Sequence, residues 1–344
     1  MTRVHQIVSG AGPYDAVTAQ ALAWRDELAS LGMTGDVYAG LLDPRVRGTV
    51  RPLERIDTAD LLVIHHSAHA PGLRRLLGRP ERRLLVYHNV TPARFFWRHH
   101  PGVAVACALG RAQLPDWVRG CHAVAAVSEF NARELREAGA PEVVVVPPVL
   151  VERDGRPASH PAAGSGPLVL CVGRLAPHKR HDLVIETFAL YRQGCAPDAR
   201  LLLAGEPLSA AYRVLVERQV EASGARRAVV AGGLPQAALK GAFEDAAAGG
   251  VLLSMSEHEG FCIPLLEAFG HGVPVVARQA GAMGEVGGDA VLWSDPDPAV
   301  AAELIDLAVR DRELREELTR RGRARLSGHG WREPMQRAVE AALG

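Results

Sequence analysis

The chain has 344 residues, with 39 basic and 39 acidic side chains, 48% hydrophobic residues and 23% charged ones. That length accommodates two to three domains, each able to bury its own core. The zero charge balance excludes a protein that holds nucleic acid or an anionic membrane by bulk charge, and the composition excludes disordered and collagen-like chains.

In chain order, the first half alternates short apolar runs with longer amphipathic ones. Strands are expected at residues 4–8, 35–39, 61–65, 83–88, 123–127 and 143–146, with helices between them, among them 18–31 and 131–138. Ser128 closes one strand and suits the cap of the next helix. Continuous Val, Ile and Leu strands separated by helices read as a parallel sheet covered on both faces. Residues 151–167, VERDGRPASHPAAGSGP, break the pattern with Pro and Gly and read as a linker. The alternation then restarts, with strands at 168–172, 201–204, 228–231, 250–254, 273–277 and 291–293. The intervening helices include 181–191, 210–222 and 264–271, and a last helix covers 331–342. The expected architecture is therefore α/β, two doubly wound halves facing across a cleft, with ligands at the carboxyl ends of the strands.

The cysteines Cys107, Cys121, Cys171, Cys195 and Cys262 are odd in number and form no CxxC pair. This fits reduced thiols rather than a disulfide framework or zinc site. The beginning MTRVHQIVSG lacks the pattern of a signal peptide, and no apolar run is long enough to span a bilayer. The expected location is the cytoplasm.

Three stretches carry candidate chemistry. Gly10-Ala11-Gly12-Pro13-Tyr14-Asp15 follows the first strand. It fails as a dinucleotide fingerprint, because Asp15 stands at the third glycine position, but it suits a turn that lets a ligand approach the backbone. Gly173-Arg174-Leu175-Ala176-Pro177-His178-Lys179 follows the strand at 168–172. Lys179 and Lys240 are the only lysines in a chain whose other basic residues are arginines. Arg174 and Lys179 on one strand-end loop suit a diphosphate. In Ser256-Glu257-His258-Glu259-Gly260-Phe261-Cys262-Ile263-Pro264-Leu265-Leu266-Glu267, a loop with two carboxylates runs into a helix with proline in its first turn. The amides of Cys262 to Leu265 are expected to form an anion site at the positive end of the helix dipole.

Glu259 and Glu267 are separated by seven residues, as in the EX7E motif, and the chain resembles the retaining family 4 glycosyltransferases. The GRLxxxK stretch at 173–179 is similar to that family's diphosphate motif. The 280–288 stretch AGAMGEVGG and the strand at 273–276 are similar to its C-terminal signature. Tyr87-His88-Asn89-Val90-Thr91-Pro92 is similar to the strand-end histidine motif of one branch. The resemblance implies a GT-B fold of two Rossmann-like domains. Residues 1–155 would form the acceptor-side domain, with the helix at 331–344 packing back on it, and 165–330 the donor domain. It also implies a retaining hexosyltransferase that moves a sugar from a GDP- or UDP-linked donor to an acceptor hydroxyl. By the same resemblance, Arg174 and Lys179 neutralise the diphosphate, Glu267 takes the ribose hydroxyls, and Glu259 lies near the transferred sugar. His88 contacts sugar hydroxyls, Gly10 and Gly12 lie near the diphosphate and acceptor, and Gly260, Phe261, Cys262 and Ile263 bind the donor. Pro13 and Tyr14 depart from the small residues of the family's early loop. The donor is substrate, no cofactor or metal is expected, and the acceptor is unidentified. The alternatives are a nucleotide-sugar epimerase or a phosphorylase of the same fold, or an inactive binding partner.

Other clusters read as structural. His65, His66 and His69 are expected on a loop. Asp295-Pro296-Asp297 spells a metal motif of another fold but reads as a turn. Phe95-Phe96-Trp97-Arg98-His99-His100 reads as a helix burying Phe95 and Phe96, with Trp97 or Arg98 toward an acceptor. Nucleic acid is not an expected partner, and membrane contact is peripheral and weak at most.

Overall fold

The computed structural model describes residues 1–150 and 155–344. The chain forms two compact units, Met1–Val149 with Gly330–Gly344, and Leu150–His329.

The first unit runs β1 (Val4–Ala11), α1 (Ala16–Ser30), β2 (Val37–Leu42), β3 (Arg51–Pro52), β4 (Leu61–His66), β5 (Arg82–Tyr87), α2 (Pro101–Ala112), α3 (Leu114–Gly120), β6 (Ala123–Ala126), α4 (Glu129–Glu137) and β7 (Val144–Val145). Its strands pair in parallel in the order β3-β2-β1-β4-β5-β6-β7. The second unit runs β8 (Leu168–Val172), α5 (His181–Gly194), β9 (Arg200–Ala204), α6 (Ala210–Ala222), β10 (Ala228–Gly232), α7 (Gln236–Gly249), β11 (Val251–Ser254), α8 (Ile263–His271), β12 (Val275–Arg278), α9 (Met283–Gly287), β13 (Val291–Ser294), α10 (Pro298–Arg310) and α11 (Arg312–Ser327). Its parallel order is β10-β9-β8-β11-β12-β13. Each sheet is doubly wound, and its winding reverses between the first strand and the strand beside it, β1/β4 and β8/β11. Such reversals open a crevice at the carboxyl ends of the two strands.

Strand alternation explains why both faces of the second sheet are covered. Val169, Cys171, Leu201, Leu203, Val251 and Leu253 point into one buried cluster with Phe188 and Tyr191 of α5 and Ile305 of α10. Leu168, Leu170, Leu202, Leu252 and Val275 point the other way, onto Phe243 of α7 and Leu265 and Phe269 of α8. Each fully buried side chain of this size contributes about 1.5–3 kcal/mol.

The last helix, α12 (Arg332–Leu343), belongs to the first unit. Met335, Ala338, Val339 and Ala342 are buried at helical spacing, and the helix lies on β5, β6 and β7. Arg82 Nε donates to the Ala342 carbonyl, and Arg332 Nε pairs with Glu27 Oε2 at 2.8 Å.

Three expectations are corrected. In the 151–167 linker, residues 151–154 lie outside the described residues, and 155–167 is irregular but anchored. Ala158 N donates to Ala237 O (2.9 Å), and Arg200 donates to Ala162 O (2.8 Å) and Gly166 O (2.6 Å). Pro and Gly stop regular structure there without stopping burial; His160 and Ala162 are both buried. His66 as well as His65 lies on β4 rather than on a loop, because pairing with β5 continues through both, His65 with Val86 and His66 with Tyr87. Residues 93–95 form a single 3-10 turn that buries Phe96 but not Phe95.

Asp245 closes the anchor. It accepts from Arg200 Nη1 (2.6 Å) and Nη2 (2.8 Å), and from His160 Nε2 at 2.9 Å. Burial pushes its carboxyl up, but the Arg200 guanidinium and then His160 outweigh it and hold the group below its ordinary range. Asp245→Ala leaves the buried Arg200 unpaired and lowers unfolding free energy by about 3 kcal/mol in a denaturant titration. The depressed carboxyl gives a sign. Its contribution is present above the unfolded value of about 3.9 and fades as pH falls through the folded value. Wild type and variant therefore converge in stability in acid; a gap that stays constant down to strongly acid pH contradicts this assignment.

Candidate active site

The second unit's crevice is built from the loops after β8 and β11. β8 ends at Val172 and turns through Gly173, whose φ of +142° calls for glycine. A Cβ there would lie 3.4 Å from Lys179 Nζ. Residues 177–179 form a 3-10 turn that brings the lysine back over the loop. Lys179 Nζ then donates to Glu259 Oε1 at 2.6 Å, with the two side chains only 16% and 9% exposed. Burial alone would lower the Lys179 pKa, but the Glu259 carboxylate raises it above the ordinary value and keeps the ammonium charged. Arg174 leaves the same loop and is exposed.

The Glu259 loop is fixed from two sides. Glu257 N donates to His178 O at 2.7 Å, tying it to the lysine loop, and Ala282 N donates to Glu259 O at 3.0 Å. Arg180 Nη1 (2.6 Å) and Arg278 Nη1 (3.2 Å) both reach Glu257 Oε1. Cys262, with φ +81°, turns the chain into α8 without a side-chain cap. Glu267 lies in α8, half-buried, beyond its first turn. One expectation changes here: Pro264 has no N–H and Leu265 N donates to Cys262 O at 3.1 Å, so neither serves an anion. Gly260, Phe261, Cys262 and Ile263 form the connection between Glu259 and the helix. Burial pushes the Cys262 thiol well above its ordinary value and Cys171 up to about 12, so both are inert neutral neighbours of the ion pair.

The first unit's crevice is built after β1, β4 and β5. β1 runs on through Gly10 to Ala11, so Gly10, expected after the strand, lies within it; Gly12 follows it, and a Cβ on Gly12 would meet no atom. Asp15 caps α1, accepting from Thr18 N at 2.7 Å, while Thr18 Oγ1 accepts from Gly12 N at 3.3 Å. The glycine turn is thus pinned by the start of α1. His88 follows β5; its backbone N donates to His66 O at 3.0 Å. Its ring Nε2 lies 2.9 Å from His65 Nδ1, and His65 Nε2 lies 2.8 Å from Gln6 Oε1. Burial, with His66 adding to it, lowers His88 to about 3, so its imidazole is neutral. Sequence reasoning did not single out Gln6. The only available signal was a polar residue inside an otherwise apolar strand. Asp297, from the DPD stretch, caps α10 by accepting from Ala299 N at 2.8 Å.

The strand order brings Lys179 and Glu259 together from residues 80 apart in sequence. Arg174 is on the same loop as Lys179 and Glu267 on the helix that follows Glu259, while Gly10, Gly12 and His88 belong to the other unit. Gly281 holds the Glu259 backbone: its φ is +56° and a Cβ would sit 2.1 Å from Glu259 O. Gly281→Ala should cost about 1–3 kcal/mol in thermal or denaturant unfolding, whereas Gly12→Ala, with open space around it, should leave stability near wild type. Equal stability of the two variants contradicts this account of the loop.

The model of the family described as glycosyl transferases group 1 matches residues 152–325, half of the chain. Over 88 residues, 25% of this chain, the sequence is 36% identical to an O-antigen chain mannosyltransferase B of Escherichia coli, and the match spans 23% of that protein's length. Among solved structures, WaaG, a glycosyltransferase involved in lipopolysaccharide biosynthesis, superposes with a TM-score of 0.72 at 15% identity, covering 99% of this chain and 100% of that one. HepE of Anabaena in complex with UDP-glucose superposes with a TM-score of 0.72 at 17% identity, covering 99% of each chain. At these identities the likeness is one of fold, and the fold is GT-B, two Rossmann-like α/β units. With the family model covering the whole second sheet and its Lys179–Glu259 crevice, the chain belongs to the glycosyl transferases group 1 family.

Proposed function

We propose that this chain is a retaining glycosyltransferase of the EX7E, family 4 type, transferring a sugar from a GDP- or UDP-linked donor to an acceptor hydroxyl. The observation that carries this reading is the buried Lys179–Glu259 pair at the β8/β11 crevice. A fixed, charged ammonium at a strand-end crevice is what a departing diphosphate requires, because charge that develops as the bond breaks meets a group already in place. Arg174 is the second cation, Glu267 binds the ribose hydroxyls, and Gly260 to Ile263 line the donor. His88 contacts the sugar, and Gly10 and Gly12 serve the diphosphate and acceptor. Two comparisons support the class of donor and product: one similar structure holds UDP-glucose, and one similar sequence is a mannosyltransferase. We place the reaction in the cytoplasm on the strength of the five free thiols; no helix among the described residues is long and apolar enough to cross a membrane.

In the proposed step, the bond between the anomeric carbon and the diphosphate oxygen breaks, and its electron pair leaves with the diphosphate. The acceptor oxygen bonds to the same face of that carbon. Its proton passes to the departing phosphate oxygen. Lys179 and Arg174 bind the leaving charge, Glu259 holds Lys179 in place, and no side chain needs to act as base on the opposite face. Lys179→Ala and Arg174→Ala should each lower kcat/KM for the donor tenfold or more, about 1.4 kcal/mol or above, with the fold intact by circular dichroism. Wild-type donor kinetics in both would remove the diphosphate assignment.

The stereochemistry is a separate test. The anomeric coupling constant of the product, read by proton NMR, should match the donor's configuration. His88→Ala should lower kcat more than it raises KM, because it removes positioning in the transition state. An inverted product would overturn retention, and a fully active His88→Ala enzyme would take His88 out of the site.

A further inference from the structure

Two buried groups stand behind His88 and have no part in the reaction as proposed. Gln6 Oε1 lies 2.8 Å from His65 Nε2, and His65 Nδ1 lies 2.9 Å from His88 Nε2. The sheet register puts the three on one face. β1 pairs Val8 with His65, β4 pairs His65 with Val86, and alternate residues on each strand share a face, so Gln6 and His88 fall on the side of His65. The ring of Trp24, from α1, meets His65 edge-on at 5.3 Å and closes that side. Gln6, His65 and Trp24 are all fully buried.

The proton positions follow from the donors and acceptors. An amide oxygen only accepts, so His65 Nε2 carries the hydrogen. Burial holds His65 well below its ordinary pKa, with His88 adding to it, so the ring is neutral and its Nδ1 has a lone pair. His88 Nε2 must then donate to it. Since His88 is also neutral, its own Nδ1 is left as a lone pair. Which nitrogen of a histidine is protonated is set by the hydrogen bond its other nitrogen makes.

We propose that Gln6 and His65 are positioning residues that lock His88 in the Nε2–H tautomer, leaving Nδ1 as the acceptor for a hydroxyl of the donor sugar. The tautomer rests on the two ring contacts, with the Gln6 amide oxygen facing His65 and both rings neutral; the hydroxyl rests on the proposed reading of His88. The relay also explains why an apolar strand carries a buried glutamine. If the Gln6 amide were turned over, its NH₂ would donate to His65, every proton in the chain would reverse, and His88 Nδ1 would become a donor.

The nitrogen-15 NMR spectrum of the histidine rings in the full-length protein without ligand decides between these, with His65→Gln and His88→Gln variants used to assign the signals. The expected result is a protonated Nε2 and an unprotonated Nδ1 on both rings. A protonated His88 Nδ1 overturns the proposal, whatever the protein's activity. Gln6→Leu should return His88 to a mixture of tautomers and lower kcat about tenfold with donor KM unchanged, and Gln6→Glu, which only accepts when ionised, should keep the wild-type tautomer at a pH where that carboxyl is ionised. Wild-type ring signals and kcat in Gln6→Leu overturn the proposal too. If Gln6→Leu does not fold, the wild-type spectrum still decides. Absence of sugar transfer by the wild-type enzyme counts against the proposed function and leaves the tautomer result standing.

Discussion

A parallel sheet buried on both faces leaves little room for charged side chains except at the ends of its strands, and that constraint organises the second unit. From Leu168 to Val172, and from Val251 to Leu253, every side chain faces one apolar cluster or the other. Charge can enter only where the strands stop. The reversal of winding at β8/β11 then sends the neighbouring helices to opposite faces, so the two strand-end loops meet with no helix crossing between them. Lys179 and Glu259 occupy those loops. In the first unit, Gly12 and His88 likewise follow β1 and β5, with Gly10 near the end of β1, on either side of β4.

Two ion pairs of the second unit, each with one buried member, serve different ends. Arg200 and Asp245 satisfy each other bidentately, and the remaining guanidinium donors reach the carbonyls of Ala162 and Gly166. Everything about that pair is spent on pinning 155–167. Lys179 and Glu259 make one hydrogen bond between them. An ammonium has three donors, and taking two charges out of water costs several kcal/mol per ion, which a single contact repays poorly. A pair of that kind contributes little to stability compared with an apolar pair of the same volume. What it supplies is a cation held charged, oriented and close to a glycine backbone, with capacity for further acceptors. On the proposed reading, that capacity is for the phosphate oxygens.

Much of this was legible in the sequence, and the reasons differ by residue. The strands of the second sheet announce themselves because burial on both faces requires unbroken Val and Leu runs, and the observed β8 coincides with the expected 168–172. Lys179 stood out because lysine is so rare here. The Glu259–Glu267 spacing is local and survives any error in fold. The buried state of His65 and His66 was not legible, since a histidine ending an apolar run reads equally as strand or loop. The anchoring of 155–167 depends on Arg200 and Asp245, which are distant in sequence and unremarkable in type. The Gln6–His65–His88 chain needs the register of three strands at once, and no window of sequence contains that.

On the proposed reading, the electrostatic states of the two crevices suit different ligands. In the first unit, burial strips charge: His65 and His88 are both held far below their ordinary pKa, and the side chain that meets them is an uncharged amide. In the second unit, burial is opposed: the Glu259 carboxylate keeps Lys179 protonated. A neutral imidazole with a fixed lone pair discriminates hydroxyl groups by direction, because a misplaced hydroxyl leaves a buried acceptor unpaired. A fixed ammonium does little to discriminate direction but responds strongly to charge. Glycosyl transfer from a nucleoside diphosphate needs both, a sugar read by its hydroxyl geometry and a leaving group held by its charge. On the proposed reading, each requirement is met on its own sheet, so one can vary with the sugar while the other stays constant.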